Sequence, residues 1–148
     1  MKLTIDRNAL MRALSHVQAV VERRNTIPIL SNILMVAEGE RLSLTATDLD
    51  IEATDAAVAS VKKAGAVTAP AQTLFDVVRK LPEGSEISLD LSEGRLSISS
   101  GRSKFALPTL PASDFQTMAK EAAPTRFEMD AAELRRLLGR WQSLCRDG

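Results

Sequence analysis

The sequence predicts an α+β domain in which two β-α-β-β-β units place their helices on one face of antiparallel sheets. Three observations carry this expectation. Short segments alternate polar and apolar residues, as half-buried strands do, while two longer segments repeat apolar residues at helical spacing. The order strand, helix and three strands occurs twice before about residue 110. The first hairpins of the two units also share letters, Glu38-Gly39-Glu40-Arg41-Leu42-Ser43 in one and Glu93-Gly94-Arg95-Leu96-Ser97 in the other.

In the first unit, Lys2-Leu3-Thr4-Ile5 alternates as a strand and Asp6 follows as a helix N-cap. From Arg7 to about Val21, Leu10, Leu14, Val17 and Val21 recur on one face, with Asn8, Arg12 and His16 opposite. Ile27-Pro28-Ile29 reads as extended, because proline disfavours a helical residue before it. Strands are expected at Ile33–Ala37, Leu42–Thr47 and Ile51–Val58, with Gly39 and Asp48 at the turns. In the second unit, Ala66–Ala69 is the first strand. Pro70 opens a helix with Leu74, Val77, Val78 and Leu81 on one face and Gln72, Asp76, Arg79 and Lys80 on the other. Pro82 and Gly84 end it, and strands follow at Ile87–Leu91, Leu96–Ser99 and Ser103–Leu107.

A longer repeat is also present. Phe127-Glu128-Met129-Asp130 echoes Leu3-Thr4-Ile5-Asp6, and Leu134, Arg136 and Leu138 match Leu10, Arg12 and Leu14 at one constant offset. Asp130 and Glu133 have capping-box spacing. The expected division is a first domain over residues 1–124, linker included, and an incomplete second domain of one strand and one helix over residues 125–148. On the last helix, Leu134, Leu137, Leu138, Trp141 and Leu144 form an apolar stripe. Either no later segment covers it, or it folds back on the first domain.

The composition excludes several classes. Of 148 residues, 19 are Lys or Arg and 19 are Asp or Glu, so the net charge is zero. That argues against a strongly basic chromatin-like protein and against an acidic solvating tail. No apolar run approaches a membrane span and no signal-peptide core opens the chain, so a soluble cytoplasmic protein is expected. Cys145 is the only cysteine, which excludes an internal disulfide or a cysteine-based zinc site.

The zero net charge hides segregation. In residues 1–35, Lys2, Arg7, Arg12, Arg23 and Arg24 outnumber Asp6 and Glu22. In residues 36–60, Arg41 stands against Glu38, Glu40, Asp48, Asp50, Glu52 and Asp55. The second helix is basic again and its following hairpin acidic, before Arg95, Arg102 and Lys104 reverse the sign once more. Helices turned to one surface, with acidic hairpins elsewhere, would set Arg12, Arg79 and Lys80 where phosphates bind without sequence reading. Solvated helix faces are the plainer reading of the same charges. With no tyrosine and four phenylalanines, a stacking platform for single strands is disfavoured.

Catalytic signatures are missing. His16 is the only histidine, and no nucleophile elbow, Walker loop or dinucleotide glycine fingerprint occurs. Asp48, Asp50 and Glu52, alternating on a strand, could face a divalent cation, but Ala53 and Ala59 occupy the positions where an EF-hand needs glycine and glutamate. An acidic hairpin edge that discourages strand pairing is the better reading. No catalytic residue, cofactor or metal ligand is assigned, and the expectation is a non-enzyme.

Several stretches together point to a family: Arg24-Asn25-Thr26-Ile27-Pro28-Ile29-Leu30-Ser31-Asn32, Leu42-Ser43-Leu44-Thr45-Ala46-Thr47-Asp48-Leu49, Phe75-Asp76-Val77-Val78-Arg79-Lys80-Leu81-Pro82-Glu83-Gly84, Ser100-Gly101-Arg102-Ser103-Lys104-Phe105 and Thr109-Leu110-Pro111-Ala112-Ser113-Asp114-Phe115-Gln116. In these the chain resembles the bacterial sliding clamp, the β subunit of the replicative DNA polymerase, almost collinearly from Met1 to about Leu138. The resemblance implies a non-catalytic processivity factor whose subunits close head to tail into a ring around duplex DNA. It implies DNA contacts at Arg24, with Arg23 beside it, and at Arg12, Arg79 and Lys80 on helices facing the hole. It implies a subunit interface at Phe105 and Leu107, flanked by Arg95, Arg102 and Lys104. Core packing of the last strand is the alternative for Phe105 and Leu107. Residues 139–148 depart from the family's pattern. The chain is therefore expected to be a fragment without ring closure and without the pocket for polymerase and clamp-loader peptides, which become partners of the full-length parent only. The alternative is a free-standing clamp-derived module that docks on an intact clamp and blocks closure.

Overall fold

The computed structural model describes residues 1–21, 27–117 and 127–146. The chain divides into two compact units, Met1–Met118 and Ala119–Gly148.

In the first unit, β1 (Lys2–Asp6) runs directly into α1 (Arg7–Gln18). Asp6 makes the junction: its backbone is extended and its Oδ2 accepts from the Ala9 N–H at 3.0 Å, satisfying a donor that the helix start leaves open. The helix stops at Gln18, short of Val21. The N–H groups of Val20 and Val21 turn to the carbonyls of Val17 and Gln18, a tighter pattern that ends α geometry. Ile27 is extended, as a residue before proline should be, but Pro28–Ser31 then forms a 3-10 turn where an extended segment was expected. Proline's fixed φ suits the first position of such a turn.

Eight strands follow: β2 (Asn32–Glu38), β3 (Arg41–Thr47), β4 (Glu52–Val58), β5 (Ser60–Lys63), β6 (Gly65–Pro70) and, after α2 (Ala71–Lys80), β7 (Glu86–Ser92), β8 (Arg95–Ser100) and β9 (Ser103–Pro108). β5 has no counterpart in the sequence reading. Its residues Ser60-Val61-Lys62-Lys63 carry one apolar side chain, too few for alternation to show. Gly39 and Gly94 hold φ of +61° and +74° at the first turn of each meander. No atom of the described residues lies within 4 Å of where a Cβ would sit at either, so the demand for glycine there is conformational.

The two β-α-β-β-β units do not each form their own sheet. The strand orders are β5-β1-β7-β8-β9 and β4-β3-β2-β6. Each unit's first strand has crossed to the other unit's meander: β1 pairs with β7, Leu3 opposite Leu89 and Ile5 opposite Ile87, while β6 pairs with β2, Val67 opposite Met35 and Ala69 opposite Ile33. The corners follow the same exchange. Past β4, the Ala59 N–H returns to the Glu40 carbonyl, and β5 then pairs with the far side of β1. Past β9, the Thr109 N–H returns to the Gly94 carbonyl, and Leu110 bridges Thr68 on the far side of β6.

Both sheets turn their apolar alternation inward on one core, which includes Leu3, Leu10, Leu14, Ile33, Leu42, Leu44, Leu74, Ile87, Leu89, Leu96 and Ile98. α1 packs on β1, β3 and β4, α2 packs on β6 and β9, and the helices pack on each other.

In the second unit, α3 (Ala131–Arg146) begins at Asp130, whose carbonyl accepts from Leu134 and whose Oδ1 accepts from Ala132. Residues Phe127–Asp130 form no strand, against the expectation. No described strand of their unit lies beside them, and a strand is defined by the ladder it makes. Leu134, Leu137, Leu138 and Trp141 are exposed. The Leu144 side chain and that of Cys145 lie outside the described residues.

Candidate nucleic-acid interface and strand edges

The helix pair is built from its ends. Arg7 opens α1 on the same face as Leu10 and Leu14, and its buried guanidinium crosses to the last turn of α2. Nε donates to the Val78 carbonyl at 3.2 Å and Nη2 to the Arg79 carbonyl at 3.0 Å. At the other end, Gln18 Nε2 donates to Gln72 Oε1 at 3.4 Å. The start of α1 thus meets the end of α2, and the helices are antiparallel. Sequence reasoning counted Arg7 only as a charge. Its place three residues before Leu10, on the apolar stripe, was the available signal.

The outer sides of the helices carry Asn8, Arg12, Ser15 and His16 on α1, and Gln72, Thr73, Arg79 and Lys80 on α2, all exposed. Arg12, Arg79 and Lys80 are therefore on the solvent side of one helix pair. Two of these cations have carboxylate neighbours. Arg79 Nη2 lies 3.6 Å from Asp76 Oδ1 one turn earlier, and its guanidinium sits 6.0 Å from the centroid of the Phe75 ring. Asp55 of β4 reaches α1. Its Oδ2 is 2.5 Å from His16 Nδ1, and its Oδ1 accepts from the Ala56 N–H at 2.8 Å. The His16 hydrogen bond first, then that from Ala56, with the charges of His16 and Arg12 adding, hold the Asp55 carboxyl below its usual range. The acidic hairpins are thus not wholly elsewhere: one of their carboxylates belongs to the helix surface, because β4 is the strand α1 packs on. Lys80 makes no ion pair among the described residues. Arg23 and Arg24 lie outside the described residues.

An open depression between the end of α1 and the start of α2 is lined by Ser15, Gln18, Ala19, Val21, Ser31, Ala71 and Gln72. Its described lining residues offer hydroxyl and amide groups, with no acid, base or thiol among them.

The second set of predicted residues gathers at β9, the end strand of its sheet, which among the described residues pairs with β8 alone. Phe105 stands opposite Ile98 and Leu107 opposite Leu96, so both side chains share the core-facing side. Leu107 is 5% exposed and belongs to the core, whereas Phe105 remains 38% exposed at the rim. Lys104 and Arg95 are exposed on strands β9 and β8, and Arg102 is exposed in the turn joining them.

Asp48, Asp50 and Glu52 do not share a strand face. Residues 48–51 form a turn closed by the Asp48 N–H to the Ile51 carbonyl, with Asp48 Oδ1 accepting from the N–H of Asp50 at 2.9 Å and of Ile51 at 2.7 Å. Leu49 takes φ of +80° within it. Asp48 is spent on its own backbone, a turn role that short acidic side chains commonly fill. Among the described residues, no three His, Cys, Asp or Glu side chains are grouped to hold a metal ion, and no helix is long and apolar enough to cross a membrane.

Residues 1–119 match the family model of the DNA polymerase III beta subunit, N-terminal domain. The chain is 56% identical over 140 residues to a beta sliding clamp of Caulobacter vibrioides, covering 93% of the chain and 38% of that relative. It is 43% identical over 141 residues to the beta sliding clamp of Pseudomonas aeruginosa, covering 95% of the chain and 38% of the relative. A solved structure of Caulobacter crescentus pol III beta superposes with a TM-score of 0.91 at 56% identity, over 94% of this chain and 38% of that one. The chain thus spans well under half the length of the relatives it matches.

Proposed function

The chain belongs to the family of the DNA polymerase III beta subunit, N-terminal domain, and from that premise we propose that it acts as the first domain of a DNA sliding clamp. In this reading the whole protein is a ring that tethers the replicative polymerase to duplex DNA, without catalysis and without sequence preference. The observation that carries it is the antiparallel helix pair, clasped by Arg7, with Arg12, Arg79 and Lys80 on its solvent side. Arg24, with Arg23, joins this DNA-facing set on the resemblance alone. Residues 1–124 form the clamp domain and 125–148 open the next.

The carboxylates beside these cations support sliding over tight holding. Every phosphate contact releases counterions on binding and must be undone on moving, so a ring that encloses DNA is served by few and tempered contacts. Asp76 beside Arg79 and Asp55 near Arg12 temper two of them.

The β9 edge is the proposed meeting place with another clamp subunit, head to tail. Phe105 supplies apolar contact, Arg95, Arg102 and Lys104 supply steering charge, and Leu107 supports the strand from the core side. Because that edge has no outer partner strand among the described residues, a second reading follows: the chain by itself docks on an intact clamp through β9 and hinders closure.

The test is a full-length clamp carrying Arg12→Ala, Arg79→Ala and Lys80→Ala together. Retention on circular duplex DNA should fall, its salt dependence should flatten, and the melting temperature should hold. Unchanged retention would remove the helix pair from the DNA-facing surface.

A further inference from the structure

We propose that His16 is a phosphate contact of the helix surface that only its protonated form makes. The inference rests on the DNA-facing reading of that surface given above. His16 stands one turn after Arg12 on the outer side of α1, and its side chain is 63% exposed. Its Nδ1 lies 2.5 Å from Asp55 Oδ2. An ionised carboxylate accepts and cannot donate, so the neutral ring carries its proton on Nδ1. Nε2 is then a bare acceptor, and it has no hydrogen-bond partner among the described residues. A phosphate oxygen is an acceptor too, so neutral His16 offers it nothing. A second proton, on Nε2, turns the outer side of the ring into a donor and takes the charge of the His16–Asp55 pair from −1 to zero.

The charges on the elements packed around α1 leave this exchange to His16. On α1 itself, the charge of Arg12 reaches Asp55, as that of His16 does. β4 adds Glu52 to Asp55, and β3 adds Arg41, opposite Val58 and so three rungs along the ladder from Asp55. α2 brings Asp76, Arg79 and Lys80, with Asp76 3.6 Å from Arg79 and accepting from Gln72. β1 brings Lys2, 3.4 Å from Asp90, and Asp6, which caps α1. Imidazole is the side chain that ordinarily titrates between pH 5 and 8, and His16 is the only histidine of the chain. Asp55 stays ionised over that interval, because the hydrogen bonds from His16 and Ala56 hold its carboxyl below the usual range. Protonating His16 therefore does two things at once. It offsets the carboxylate that tempers Arg12, and it adds a donor one turn away from Arg12.

Two experiments test the proposal. Ring-nitrogen NMR of the 148-residue chain at pH 8 should find the imidazole proton on Nδ1, and a proton on Nε2 instead would overturn it. A full-length clamp carrying this domain is then assayed for retention on circular duplex DNA, over a salt series at pH 6 and pH 8. Retention should be stronger at pH 6, and its salt slope steeper by about 1, the expectation for one added phosphate contact. His16→Gln takes up no second proton and should lose that increment, which separates it from any effect of other histidines in the longer protein. His16→Arg carries its charge and donors at both pH values and should hold the steeper slope at both. Circular dichroism melts confirm that the variants fold.

An increment that survives His16→Gln overturns the proposal. The triple variant Arg12→Ala, Arg79→Ala and Lys80→Ala tells two failures apart. If it lowers retention while His16→Gln keeps the increment, His16 alone is rejected as a contact. If it leaves retention unchanged, the DNA-facing reading falls and His16 falls with it.

Discussion

Arg7 and Val78 are 71 residues apart in sequence and joined by one hydrogen bond, Nε to carbonyl oxygen, at 3.2 Å. A second bond from the same guanidinium reaches Arg79. Helix ends leave their last carbonyls short of intrahelical donors and carry partial negative charge, so a buried cation at the end of α2 meets both needs. Arg7→Met should lower the unfolding free energy by about 2–3 kcal/mol. Arg7→Lys should recover only part, because an ammonium lacks the planar fork. Urea unfolding at neutral pH measures both, and equal midpoints for Arg7→Met and the parent would show that the clasp adds nothing.

Asp55 gives a prediction with a definite pH sign. Its carboxyl is held below the usual range by its hydrogen bonds and the nearby positive charge. It therefore contributes stability above the ordinary carboxylate value, and that contribution is lost as pH falls through the lowered value in the folded state. His16→Ala should move the Asp55 titration up toward its ordinary position, read by carboxyl-carbon NMR. An unmoved titration would mean the pair does not form in solution.

The tempering of the DNA-facing cations can be read from opposite substitutions in a full-length clamp. Lys80→Ala should weaken DNA retention and lower the salt slope by about 1, the expectation for one phosphate contact. Asp76→Asn removes the carboxylate 3.6 Å from Arg79 and should do the reverse. Retention assayed over a salt series separates them, and two changes of the same sign would reject the tempering argument.

Phe105 and Leu107 should separate in the same spirit. Leu107 is 5% exposed, so Leu107→Ala should destabilise the domain by about 2–5 kcal/mol. Phe105, at 38% exposed, should cost less in stability when cut to alanine and more in clamp-subunit contact. Thermal melts and subunit exchange, measured on the same two variants, give the comparison. Equal stability losses would assign both to the core.

Local features were legible in the sequence where their cause was local. Asp6 was readable as an N-cap because its partner, Ala9, is three residues away. Gly39 and Gly94 were readable as turns because the conformation itself selects glycine. The exchange of β1 and β6 between meanders was not readable, since alternation says that a strand is half buried and not which strand lies beside it. For the same reason, the charge pattern placed Asp55 with the acidic hairpins, while the fold brings it to His16 from 39 residues away. Leu107 and Phe105 occupy the same face of one strand, so periodicity could not distinguish a core position from a rim position.

The crossing of β1 and β6 also bears on how the chain acquires its structure during synthesis. β1 is complete by Asp6, but its ladder partner β7 begins at Glu86, and β2 waits for β6 at Gly65. Neither half of the repeat can finish a sheet while the other is still inside the ribosome. The duplicated units therefore fold as one cooperative event once the second meander has been made, with long loops to close, instead of as two successive modules.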